Sequence, residues 1–148
     1  MRKYAAEAIG TFALVPAGTG TIVVGDLFGG VVSHMGVPLT FGLVVMTMIY
    51  SVGDVSGAHL NPAVSLGVDS GAKEVGTMAG ISVGATVCLC DLFAGPVTGA
   101  SMNPARSVGP ALILRQWSAL WLYVFAPVIG AGLAVLGCRC VREPGCCT

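Results

Sequence analysis

One eleven-residue stretch occurs twice in this chain, with its copies 42 positions apart. Gly57-Ala-His-Leu-Asn-Pro-Ala-Val-Ser-Leu-Gly67 and Gly99-Ala-Ser-Met-Asn-Pro-Ala-Arg-Ser-Val-Gly109 agree at seven of eleven positions. Asn is a strong helix N-cap, and Pro is favoured at the first helical position, where its missing N–H would have no partner anyway. Asn61-Pro62 and Asn103-Pro104 therefore each predict a helix start, continued by Ala63 or Ala105 and by apolar residues such as Leu66 and Leu112. The apolar stretches behind the caps are too short to cross a bilayer, so they read as half-helices. A single Asn-Pro would be a turn signal. Two copies, each behind a long apolar run, call for more than a turn.

The runs around the repeat are those of a membrane protein. Of the 148 residues, 55% are hydrophobic and 9% charged, with a mean hydropathy of +0.87, against about 25% charge in a soluble domain. Four segments stand out: Tyr4 to Val24, Val37 to Val52, Val75 to Val97 and Trp117 to Gly137. A helix of roughly 20 residues crosses the hydrocarbon layer, and no alternating ten-residue strands suggest a barrel. Gly76, Gly80 and Gly84 share one helix face, as do Ala126, Gly130 and Ala134; small residues at this spacing let helices approach closely. Pro16 predicts a kink in the first helix.

With a cytoplasmic N-terminus and four crossings, Arg2, Lys3, Lys73, Arg139 and Arg142 fall on the cytoplasmic side, and Arg106 and Arg115 on the far side. This is the positive-inside distribution. It places both termini in the cytoplasm and the Gly25–Gly36 loop outside. The two copies of the repeat then enter from opposite faces, an inverted repeat. Half-helices entering this way meet N-terminus to N-terminus, with their positive dipole ends together. A pore there repels cations, and the amides of Asn61 and Asn103 can donate to a passing oxygen, which suits single-file water or a small neutral hydroxyl solute.

Other classes are disfavoured. Seven basic and seven acidic residues leave no net charge to hold a phosphate backbone, so nucleic acid is not an expected partner. No catalytic constellation, cofactor motif or metal-ligand set is present; the chain does not read as an enzyme. Cys138, Cys140, Cys146 and Cys147 crowd the tail without a His or a second paired motif, and read, like Cys88 and Cys90, as free thiols rather than a disulfide framework. Arg2-Lys3 ahead of an apolar stretch suggests a signal peptide, but no clean cleavage site leads into a soluble domain.

At its repeat the chain resembles the aquaporins of the major intrinsic protein family, and within it the nodulin-like intrinsic proteins and their bacterial relatives. The resemblance covers nearly the whole chain and includes Glu7-Ala-Ile-Gly-Thr-Phe in the first helix. It implies an all-α membrane protein, a single domain over 1–148 with a first repeat at about 1–67, a second at about 75–137 and a cytoplasmic tail at 138–148. It implies a pore centre at Asn61, Pro62, Ala63, Asn103, Pro104 and Ala105, and an outer selectivity filter at Phe41, Asp91, Ala100 and Arg106, where Arg106 contacts the permeant and repels cations. It gives Glu7, and structurally His59, the task of supporting the signature loops, and it puts Asp54 at the cytoplasmic mouth. Passive transport of water, with glycerol or boric acid left open by the small Ala100, is the implied activity, in a plasma or other cellular membrane. Ser107 and Ala111 resemble the water-selective branch, whereas Tyr123-Val124 lacks its Tyr-Trp pair. Assembly is implied to be a homotetramer.

Two departures stand against the pattern. The family's six spans and two half-helices need roughly 200 residues or more. Here an eight-residue step from Gly67 to Val75 stands where the third and fourth helices belong. Loss of two helices keeps the orientation of the rest but opens the pore wall to lipid, where loose backbone ends are costly. A non-conducting scaffold that assembles with full-length relatives is the alternative reading. Asp91 is the second departure: a carboxylate at a filter position either narrows the filter, cancels the cation barrier or neutralises Arg106 at a wet mouth.

Overall fold

The computed structural model describes residues 1–69 and 78–141. Lys73, Val75, Gly76, Arg142, Cys146 and Cys147, all invoked above, lie outside the described residues. Among the described residues six helices follow in order: α1 (Arg2–Leu27), α2 (Gly36–Ser56), α3 (Pro62–Asp69), α4 (Ala79–Thr98), α5 (Pro104–Leu114) and α6 (Leu120–Val141). There is no strand among the described residues. Helices α1, α2, α4 and the Leu120–Cys138 part of α6 are long and apolar enough to cross a membrane. This is the all-helical membrane architecture that the sequence predicts, with α3 and α5 as its two short helices. Element ends differ by a few residues. Helix α1 runs through Pro16 and past both expected ends. Helix α6 begins at Leu120 because Trp117 enters a turn closed by the Leu120 N–H on the Trp117 carbonyl, 3.1 Å.

The chain divides into two compact units, 1–60 with 76–101 and 61–75 with 102–148. Each takes elements from both halves of the sequence. The first unit contains α1, α2 and α4 around a core of Leu14, Phe41, Val45, Ala58 and Leu60. Phe41 is fully buried because Gly18 of α1 leaves the space its ring occupies; a Cβ at Gly18 would overlap that ring.

Helices α2 and α4 touch backbone to backbone. A Cβ on Gly42 would lie 2.6 Å from the Gly84 carbonyl oxygen, and one on Gly84 would lie 2.6 Å from that of Gly42. The next neighbours are reciprocal too: Cys88 Cβ for Gly42 and Met46 Cβ for Gly84. Gly42 and Gly84, like Met46 and Cys88, are 42 positions apart. The repeat therefore extends from the eleven-residue motifs up to the crossing of these two helices, where the contacts are those of a local two-fold axis. Gly80 completes the contact by seating the Tyr50 ring.

The second unit holds α3, α5 and α6; a Cβ on Gly67 of α3 would lie 3.5 Å from Ala131 Cβ of α6. This corrects the packing face expected on the last helix. Ala126 and Ala134 are exposed and nothing lies within 4 Å of a Cβ on Gly130. The half-helix takes the Ala131 side, one position round from Gly130. Large apolar side chains such as Phe12, Phe93, Phe125 and Leu133 are more than half exposed; in hydrocarbon that surface is already solvated and needs no burial. Cys88, Cys90 and Cys140 are free thiols, but Cys138 is disulfide-bonded. That corrects the free-thiol reading at Cys138: sequence spacing alone does not say which thiols the fold brings within bonding distance.

Candidate channel site

The two signature loops are built alike, residue for residue. Ser56 donates its hydroxyl to the Val52 carbonyl and accepts the Ala58 N–H, at 3.4 and 3.1 Å. Thr98, 42 positions on, donates to the Ala94 carbonyl and accepts the Ala100 N–H, both at 3.2 Å. These hydroxyls turn the chain out of α2 and α4 by the local bonding that makes Ser and Thr turn formers. Gly57 and Gly99 follow as left-handed helix ends with φ of 88° and 70°. Left-handed backbone then recurs at Ala58 (47°) and Leu60 (52°), and again at Ala100 (37°) and Met102 (51°). In non-glycine residues this costs about 1–2 kcal/mol each and persists where surrounding contacts over-determine it.

For the first loop those contacts are visible. Glu7 of α1 accepts the His59 N–H at its Oε1, 3.0 Å, and the Leu60 N–H at its Oε2, 2.7 Å. One carboxylate so satisfies two adjacent peptide donors in a segment that has no helical partner for them. Leu60 is buried against Gly10 of α1, and the His59 ring lies over Gly57.

The loops end in the two caps. Asn61 Oδ1 accepts the Ala63 N–H at 2.9 Å. Asn103 Oδ1 accepts those of Ala105, 2.9 Å, and Arg106, 3.5 Å, with Pro104 at the first helical position. Asn61 Nδ2 donates to the Met102 carbonyl at 2.9 Å. That bond ties the cap of α3 to the residue before the cap of α5, so the half-helices meet N-terminus to N-terminus in the second unit. An amide nitrogen carries two N–H donors; the Met102 bond takes one from Asn61.

Asn103 and Arg106 are both buried, 4% and 7% exposed. Arg106 stands in the first turn of α5, where the helix dipole disfavours a cation. A buried arginine at the unfavourable end of a helix is costly to keep, which makes Arg106 a candidate for function rather than for stability. Of the other predicted filter residues, Phe41, Asp91 and Ala100 belong to the first unit and are each 5% exposed or less. Phe41 packs on Gly18; Asp91 Oδ1 lies 3.3 Å from where a Gly95 Cβ would stand, one turn along α4. Sequence reading missed Ser56 and Thr98 and the left-handed Leu60 and Met102. The 42-residue offset would have found the hydroxyl pair had the comparison been carried upstream of the eleven-residue motif.

Two capped half-helices joined at their N-termini, beside four membrane-length helices among the described residues and an internal repeat, define a membrane channel architecture. The model of the major intrinsic protein family matches residues 1–73 and again 68–137, and the chain belongs to that family. It is 34% identical to aquaporin NIP1-3 of Oryza sativa subsp. japonica over 200 residues, covering 88% of this chain and 70% of that protein. It is likewise 34% identical to aquaporin NIP3-1 of Arabidopsis thaliana over 208 residues (88% and 64%) and to aquaporin NIP1-4 of Oryza sativa over 210 residues (95% and 77%). Two hundred aligned positions against 88% of a 148-residue chain leave roughly 70 positions that the first relative has and this chain lacks. The two family matches meet at residues 68–73, at the step where the third and fourth helices were expected to be missing. The chain is a shortened member.

Proposed function

We propose that the chain is a passive channel for water and small neutral solutes, with the paired Asn-Pro-Ala caps as its centre. The observation that carries this is the Asn61–Met102 bond, which joins two half-helices at their N-termini. Two positive helix ends at one place oppose cations, hydronium included, and their cap amides offer hydrogen bonds to an oxygen that must shed its other partners. Arg106 adds a fixed positive charge and a donor; Phe41, Asp91, Ala100 and Arg106 are the filter positions that the family resemblance implies. The relatives named above are aquaporins, which supports water as the first solute to test. The small Ala100 leaves room for glycerol or boric acid. Oligomerisation, a tetramer by family resemblance, supplies neighbouring walls where this chain is short; a strictly monomeric particle in mild detergent would count against it.

The test is osmotic shrinkage of liposomes holding the purified chain, beside an Arg106→Val variant and empty liposomes. Shrinkage well above the empty rate, tight to protons in the wild type and leaky in Arg106→Val, is expected. A second reading has one observation in its favour, the roughly 70 missing positions: a non-conducting scaffold that assembles with full-length relatives. Shrinkage no faster than empty liposomes from correctly inserted protein, with altered conduction of a co-expressed aquaporin, would move the function there.

A further inference from the structure

Helix α4 carries Pro96 in its interior. A proline at that position has no N–H, so the helix offers no donor to the carbonyl four residues back, that of Leu92. In lipid a carbonyl left this way costs several kcal/mol. The structure supplies a donor from elsewhere: His34 Nε2 lies 2.9 Å from the Leu92 oxygen. A carbonyl only accepts, so Nε2 carries the hydrogen. His34 sits in the connection between α1 and α2, 58 positions from Leu92, and both belong to the first unit. The residue before Leu92 is Asp91, the buried carboxylate at a filter position.

We propose that His34 is a positioning residue. Its Nε2–H replaces the peptide donor that Pro96 removes, and so holds the α4 segment that presents Asp91. This pairing explains two residues together. Pro96 breaks the α4 ladder next to the filter position, and His34 turns the resulting loose carbonyl into the anchor for the outer connection. The proposal rests on the channel reading for its consequence, a set filter, but not for the bond itself.

A double-mutant cycle separates the two. His34→Ala removes the surrogate donor, His34→Gln restores an N–H of similar reach, and Pro96→Ala returns the helix its own donor. Hydrogen–deuterium exchange of α4 is read in liposome-embedded protein, with the glycerol-to-water permeability ratio measured on the same preparations. His34→Ala should raise exchange around Asp91–Gly95 several-fold and shift the permeability ratio by a similar factor. His34→Gln should bring both back toward wild type. In the Pro96→Ala background, His34→Ala should change either by less than about twofold. The proposal is overturned if His34→Ala exchanges like wild type, or if its effect is undiminished beside Pro96→Ala. It is also overturned as a filter device if exchange follows the cycle while the ratio of a conducting protein stays put. A wild type that conducts neither solute fails the channel reading and the filter role with it; the exchange cycle alone then still decides whether His34 holds α4.

Discussion

Asn103 shows how much one side chain can set. Its Oδ1 accepts two peptide N–H groups at the start of α5, and the residue itself is buried. Replacing a cap of this kind by Ala typically costs about 1 kcal/mol. Asn103→Ala should therefore lower the melting temperature of the detergent-solubilised protein by a few degrees and reduce osmotic water flux more than that loss of stability accounts for. Glu7 is the heavier case. Hydrogen bonds to a charged acceptor are worth about 1.5–3 kcal/mol, and Glu7 makes two to neighbouring peptides. Glu7→Gln keeps the shape, loses the charge and puts a donor where an acceptor stood; a larger drop in melting temperature than for Asn103→Ala is expected. The opposite sign is expected at Arg115, an exposed residue that ends α5 in the left-handed region at φ 53°. Glycine adopts that conformation without a Cβ clash, so Arg115→Gly should stabilise by up to about 1 kcal/mol in the same assay.

Among the elements, the α2–α4 crossing is the least forgiving contact. A Cβ added at Gly84 would lie 2.6 Å from a main-chain carbonyl oxygen and 2.9 Å from a Cβ, and neither can rotate away. Overpacking of this sort costs about 1–3 kcal/mol. Gly84→Val should lose that much in a detergent melting assay, and Gly42→Val as much by the local symmetry. Gly20 of α1 is the control, since nothing lies within 4 Å of a Cβ placed there. Gly20→Ala should be neutral or gain up to about 1 kcal/mol from helix propensity alone. The half-helices contrast with the long ones: they are short, begin at an Asn-Pro cap and lean on α6 or on each other's ends, so their caps matter more than their length.

For the whole molecule, the outward face is apolar along every long helix, with Phe12, Phe93, Trp121 and Leu133 all more than 60% exposed. Such a surface is stable only in lipid or detergent. The chain should stay with membranes in alkaline carbonate and leave them only with detergent; release by carbonate alone would contradict four spanning helices. An N-glycosylation acceptor built into the 28–35 connection should be modified and one at the N-terminus should not, if the charge distribution sets orientation as read. These helices, their number and the caps of the half-helices were legible from one strand of sequence because each depends on local chemistry: apolar length, a capping amide, a proline without its N–H. The repeat was legible only where side chains match. Its continuation to Gly42 and Gly84 was hidden, because a two-fold contact is a property of backbones and leaves only glycines to mark it. Ala126, Gly130 and Ala134 show the converse, since a small-residue stripe gives the possibility of close packing and not its partner; the partner took the Ala131 side. The Glu7 clamp was legible only through the family resemblance, as a support of the signature loops and not down to its two peptide partners, and the His34–Leu92 bond was beyond reach, for a related reason. Each joins a side chain to a main-chain group more than fifty residues away, and peptide groups look the same at every position in a sequence. Local composition determined which segments enter the membrane and where the half-helices start. Which peptide groups those segments leave without partners, and which distant side chains satisfy them, was decided only when the helices packed.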